Sequence, residues 1–304
     1  MEEHLKLNYT DQMKLDGFKW FNPEEEPKAI VVMFHGMAEH AARYAWFGEE
    51  LAKHGYVSFC FSYMGHGYSD RYDDRLGYLP QDDYIDEINN NQIFVIREAK
   101  KMYPSLPLFI FAHSMGSMSS QRLIQKYPNE FDKVILCGTD YGNAKYNLMI
   151  MLTKHYIKKN GAGSYNKLIN SLGTGMFDKK FKKERERLGW LSVNKENIER
   201  YEADPLCGYD YTVGYYNSLS KALRTAAKKE NISLVKGKPV LFICGVDDPV
   251  TNFSKAPKKL NKIYNDCGAL SELVIIDNAR HEILNESEEI RNKAFTAIVN
   301  FLDK

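Results

Sequence analysis

Ser114 sits where a serine could act as a nucleophile. It closes the apolar run Phe109-Ile110-Phe111-Ala112-His113 and opens a segment with helical spacing, through Gln121, Arg122, Leu123 and Ile124 to Tyr127, so it occupies a strand-to-helix turn. Such a turn thrusts its side chain out of the top of a sheet, and the folded-back backbone needs small residues two before and two after. Ala112 and Gly116 fill those positions. The N–H of Met115 then lies at a helix N-terminus, where unpaired donors and the helix dipole favour a developing negative charge. Taken alone, the pentapeptide would also suit, as the lesser alternative, a small-residue helix start in a Rossmann-like domain.

A serine hydroxyl near neutral pH needs a base within hydrogen-bond reach, and the base needs an acid to hold its tautomer. Of the eight histidines, His4, His54 and His155 fall in the N-terminal extension, at a helix end and in an inserted segment, while His35, His40, His66 and His113 have structural readings of their own. His281 lies in a loop directly after the last strand, at the sheet edge where catalytic groups converge in open α/β folds. The loop Gly245-Val246-Asp247-Asp248-Pro249 supplies the acid. Asp248 is the candidate, and Asp247 the competitor that ties the loop or faces water. A second oxyanion donor is the N–H of Met37, in the turn His35-Gly36-Met37 after another buried strand, with Gly36 allowing close backbone approach. An ordinary strand-to-helix loop would read the same way.

The elements around these residues alternate between strand and helix. An antiparallel pair, Leu5 to Thr10 and Lys14 to Phe21, precedes the strand Ala29 to Phe34; a helix Tyr44 to His54, a strand Tyr56 to Tyr63 and a helix Asp82 to Tyr103 follow. The loop Gly65-His66-Gly67-Tyr68-Ser69 is no phosphate cradle, since no helix follows it directly; it is expected to shape the floor of the site. After the strand Phe131 to Cys137 the alternation lapses for roughly a hundred residues, far beyond typical loop lengths. It resumes with the strand Lys238 to Gly245, a helix Ser254 to Asn265, the strand Leu273 to Ile276 and a helix Glu286 to Leu302. The economical description is an α/β fold, a mostly parallel sheet flanked by helices with a mainly helical cap inserted in it. Residues 1–140 and 224–304 form the core and 141–223 the cap. Within the cap, Tyr141, Tyr146, Leu148, Met149, Ile150, Met151 and Leu152 make an apolar cluster: Met149 and Leu152 are the candidates to line a pocket, and packing of the cap on itself is the alternative. The charge run Lys179 to Arg187 reads as a solvated helix face.

Composition narrows the partners. The 304 residues carry a net charge of +1, without the excess of Lys and Arg that nucleic-acid binding requires. No apolar run approaches the ~20 residues needed to span a bilayer, and the start Met1-Glu2-Glu3-His4 lacks the features of a signal peptide. A cytoplasmic location is therefore expected, with no stable membrane insertion and at most transient contact with a lipid surface. Five cysteines, no two spaced as a metal pair, read as reduced small hydrophobes.

These motifs together resemble the α/β-hydrolase superfamily, and within it the monoacylglycerol lipase and lysophospholipase-like serine hydrolases. His35-Gly36-Met37-Ala38-Glu39-His40 with Arg43-Tyr44 is similar to the family's HGxxEHxxRY, and Gly65-His66-Gly67-Tyr68-Ser69 to its GHGxS. Ala112-His113-Ser114-Met115-Gly116-Ser117 resembles GHSMGG, with Ala112 and Ser117 replacing glycines, and Ala279-Arg280-His281-Glu282 with Asn285-Glu286 resembles ARHExxNE. The order Ser, Asp, His is that of the superfamily. The resemblance implies an α/β-hydrolase fold, a Ser114–His281–Asp248 triad, Met37 and Met115 as oxyanion donors, no metal or organic cofactor, and a small acyl ester as substrate. The runner-up is an amidase or peptidase with the same machinery, and the rival of another class is a non-catalytic binding protein of this fold.

Overall fold

The computed structural model describes residues 1–79, 83–175, 177–178, 181 and 188–304; the charge run from Lys179 to Arg187 lies outside the described residues apart from Phe181. Eight strands form one sheet: β1 (Glu2–Asn8), β2 (Lys14–Trp20), β3 (Ala29–Phe34), β4 (Tyr56–Phe61), β5 (Leu108–His113), β6 (Lys133–Cys137), β7 (Pro239–Gly245) and β8 (Leu270–Ile276). Their order is β1-β2-β4-β3-β5-β6-β7-β8. β2 pairs antiparallel with β1 and with β4, and the remaining pairings are parallel.

β3, β4 and β5 are buried at every position, as near-continuous apolar runs require of parallel strands covered on both faces. Successive side chains enter opposite cores. Ile30, Val32 and Phe34 join one; Ala29, Val31 and Met33 join the other. The first core is closed by α2 (Tyr84–Met102), through Ile88 and Ile96, and by α3 (Met115–Lys126), through Leu123 and Ile124. The second is closed by Phe47 and Leu51 of α1 (Ala45–Lys53) and by the C-terminal helix over Glu288–Asp303, through Phe295 and Ile298. Each such aliphatic or aromatic side chain contributes on the order of 1.5–3 kcal/mol by leaving water.

Between β6 and β7 lie α4 (Lys145–Asn160), the short α5 (Lys167–Asn170), α6 (Lys195–Ala203), α7 (Val213–Ala226) and the short α8 (Lys229–Ile232). α9 (Lys255–Asp266) joins β7 to β8, and α10 is the C-terminal helix. The expected end of the cap at residue 223 falls inside α7, which runs unbroken to Ala226 and packs on α3 and α2 as well as on α4. Its start is capped by Thr212, whose hydroxyl accepts the N–H of Tyr215.

Candidate active site

Ser114 stands between the end of β5 and the start of α3 with φ +51° and ψ −119°. A serine rarely takes positive φ, and here the surroundings hold it. Its N–H donates to the Cys137 carbonyl (2.9 Å), while its own carbonyl accepts from Met118 N–H (2.9 Å) and the Ser117 hydroxyl (2.7 Å). Gly116 lets α3 begin against the end of β3. A Cβ there would lie 2.5 Å from the Phe34 carbonyl oxygen and 2.6 Å from that of His35.

The Ser114 Oγ lies 2.8 Å from His281 Nε2, and His281 Nδ1 lies 2.9 Å from Asp248 Oδ2. A carboxylate only accepts, so Nδ1 carries the imidazole proton and Nε2 is left to accept from the serine hydroxyl. Asp248 is fully buried, and its other oxygen accepts the N–H of Val250 (2.8 Å). Asp247 is exposed and ties its loop through its N–H to the Ala279 carbonyl (3.0 Å). Gly138, at φ +61°, leaves room for the imidazole: a Cβ there would be 3.0 Å from His281 Cε1. The Trp190 ring packs 5.3 Å from the His281 ring, a neighbour with no signature in the sequence.

Met37 follows Gly36, where a Cβ would meet the Ser114 Cβ at 3.2 Å, so this turn lies against the serine. Met115 is the first residue of α3, where an N–H has no intrahelical acceptor. The turn is braced by Glu39, whose buried carboxylate accepts from Gly36 N–H (2.5 Å), the Tyr44 hydroxyl (3.1 Å) and Arg43 (2.7 Å), with His113 Nδ1 at 3.3 Å. Burial alone would raise the Glu39 carboxyl, but the Arg43 guanidinium and His113 hold it well below the usual carboxylate range. Burial would likewise lower His113, and Glu39 outweighs it, so His113 is raised.

A cavity of about 600 Å³ opens over Ser114 and His281. Met118, Leu219 and Val250 line it together with Met149 and Leu152 of α4 and the rings of Phe177 and Trp190. Both cap residues singled out in the sequence are thus on the cavity wall, whereas Met151 of the same cluster is exposed. Among the described residues, His40, Asp204 and Cys207 bring three donor atoms within 4.8 Å of one another. His40 Nε2 and Asp204 Oδ2 already bond at 2.8 Å, and burial pushes the Cys207 thiol up, away from the thiolate a metal needs. His66 bonds the hydroxyl of Tyr211 rather than lining the cavity, so its loop props the site from behind. Among the described residues no helix is long and apolar enough to cross a membrane.

A doubly covered parallel sheet, a strained serine between strand and helix, and a histidine and an aspartate after later strands define an α/β-hydrolase. The chain belongs to the family described as Serine aminopeptidase, S33, which matches residues 25–288. It is 23% identical over 288 residues to a protein named monoglyceride lipase homolog from Monkeypox virus, covering 93% of this chain and 92% of that one. To phospholipase YtpA of Bacillus subtilis (strain 168) it is 25% identical, covering 94% and 99%. The crystal structure of a highly thermostable carboxyl esterase from Bacillus coagulans, in complex with glycerol, superposes with a TM-score of 0.90 at 20% identity over 99% of this chain and 98% of that one.

Proposed function

We propose that the protein hydrolyses carboxylic esters of apolar acyl chains, such as monoacylglycerols or lysophospholipids. The observation that carries this reading is the unbroken line from Ser114 Oγ through His281 to Asp248, at 2.8 and 2.9 Å, facing a cavity walled by apolar side chains. Ser114 Oγ attacks the acyl carbonyl as its proton passes to His281 Nε2, and the carbonyl electrons move onto oxygen, toward the N–H groups of Met37 and Met115. Asp248 stabilises the imidazolium. Collapse of the tetrahedral intermediate expels the alcohol, which takes the proton from His281. Water, deprotonated by the same histidine, then releases the acid from the acyl-enzyme.

The names of the relatives support an ester substrate, and the size of the cavity suits a chain of many methylenes, each contributing up to ~0.8 kcal/mol when buried. The family description favours a second reading, hydrolysis of an amide or peptide by the same groups. A fluorophosphonate probe followed by mass spectrometry tests the nucleophile: we expect a single adduct on Ser114, none on Ser114→Ala, and a loss of turnover on the order of 10⁴ or more in that variant. Paired esters and amides with the same acyl group decide between the two readings. Faster cleavage of the amide, or an unlabelled wild type, would overturn the first.

A further inference from the structure

Ala38 follows Met37 and takes φ +52°, a left-handed conformation that an alanine rarely adopts because its Cβ crowds the following carbonyl oxygen. Its restraints come from α6, which carries Tyr201, and from the stretch that joins α6 to α7. Ala38 N–H donates to the Tyr211 hydroxyl oxygen (3.0 Å), and the Ala38 carbonyl accepts from the Tyr201 hydroxyl (2.9 Å) and from Gly208 N–H (3.0 Å). Tyr211 is fully buried, and its oxygen lies 2.6 Å from His66 Nε2, while His66 Nδ1 lies 3.0 Å from the Met64 carbonyl.

The direction of every proton in this chain follows. A carbonyl only accepts, so His66 Nδ1 carries the proton and Nε2 accepts. Tyr211 therefore donates to His66 and keeps a lone pair for Ala38 N–H. Burial pushes His66 down to about 3, so the imidazole stays neutral and the direction stays fixed near neutral pH. The peptide that carries Met37 N–H is thus flanked by two anchors, Gly36 N–H on Glu39 and Ala38 N–H on Tyr211.

We propose that Tyr211, with Tyr201 on the other side of the same residue, is a positioning residue for the reaction: by gripping the strained Ala38 it aims Met37 N–H at the oxyanion. The inference rests on the reading that Met37 is an oxyanion donor. The segment above the cavity then does more than wall it, because the same segment sets the electrophilic side of the site.

The test uses Tyr211→Phe and Tyr201→Phe in the full chain, with a butyryl ester, a trifluoromethyl ketone of the same acyl length and the corresponding methyl ketone. The trifluoromethyl ketone adds Ser114 and forms an oxyanion; the methyl ketone fills the same space without one. Removing an oxyanion donor outright costs about 10²–10³ in kcat, so loosening one is expected to lower kcat about tenfold or more, with KM within twofold. Trifluoromethyl ketone affinity should fall by the same factor as kcat, and methyl ketone affinity should hold. Should Tyr211→Phe fail to fold, Tyr201→Phe alone carries the test through the same Ala38 carbonyl. Unchanged kcat, or a loss shared equally by KM and both ketones, overturns the proposal. Failure of the underlying ester-hydrolase reading would show separately, as a wild type that neither labels at Ser114 nor turns over.

Discussion

Arg43 and Glu282 meet in a two-pronged ion pair, Nη1 to Oε1 at 2.8 Å and Nη2 to Oε2 at 2.7 Å, although 239 residues separate them. Both side chains are nearly enclosed, and Arg43 also reaches Glu39. Glu282 is the neighbour of His281, and Glu39 braces the turn of Met37. One guanidinium therefore ties the loop of the proposed base to the loop of the proposed oxyanion donor. Burial alone would lower Arg43 and raise Glu282; each instead shifts the other way because its partner keeps it charged.

Arg43→Ala should destabilise the fold by about 3–5 kcal/mol, the cost of stranding buried carboxylates. Arg43→Lys keeps the charge but loses the fork, so it should recover part of the stability and less of the activity. Urea unfolding and ester turnover on both variants check this; a lysine variant with full kcat would show that the fork does not position the two loops.

Asp248→Asn should lose about 10⁴ in kcat, because an amide at this position would present the wrong partner to His281 Nδ1. Asp247→Asn should stay close to wild type, since that side chain is exposed. Parallel kcat measurements decide, and equal losses would remove Asp248 from the triad.

Polar replacement of Met149 or Leu152 should lower kcat/KM for octanoyl and longer esters while sparing acetyl esters, if the acyl chain runs along the cavity wall that these two side chains form. The discriminating measurement is kcat/KM across acetyl, butyryl, octanoyl and longer esters. A uniform drop at all lengths would assign the two residues to packing of the cap.

Stability should decline on mild acidification. Burial lowers His35 to about 4 and His66 to about 3, below the ~6.5 of an unfolded histidine. Between these values the unfolded chain binds more protons, so the stability these groups contribute is complete above ~6.5 and is lost as pH falls toward 4 and then 3. His113 works the other way near neutral pH, because its folded pKa is raised, and adds little once pH is well below ~6.5 and both states are protonated. Each buried neutral histidine thus contributes up to ~1.4 kcal/mol per pH unit. Urea midpoints at pH 7, 6 and 5 should fall steadily; a flat profile would place both imidazoles in contact with water.

The features legible in the sequence are those with a local signature. The Ser114 turn announces itself through its strand, its small neighbours and its helix, and β3 through six consecutive apolar residues. His281 stands apart from the other histidines by its place after the last strand, and Asp248 by its distance from Gly245. The Arg43–Glu282 pair, the packing of Trp190 on His281 and the Met64–His66–Tyr211–Ala38 chain were not legible. Each joins residues far apart in sequence, and nothing near Tyr211 or Arg43 indicates which distant group will meet it. Nor does the sequence place the end of the cap, because one helix, α7, runs past residue 223 and packs on α2 and α3 as well as on α4.

β8 forms one edge of the sheet, and His281 comes only after it. Ser114 leaves the ribosome 167 residues before its partner. At synthesis rates of about 5–20 residues per second, that interval is roughly 8 to 33 s. On the proposed mechanism the growing polypeptide holds its nucleophile and the whole segment over the cavity before it owns a base, so it is chemically silent throughout translation. Activity arrives only with the loop that follows the last strand, and any message cut short before the codon for His281 yields a product that no change of conditions will switch on.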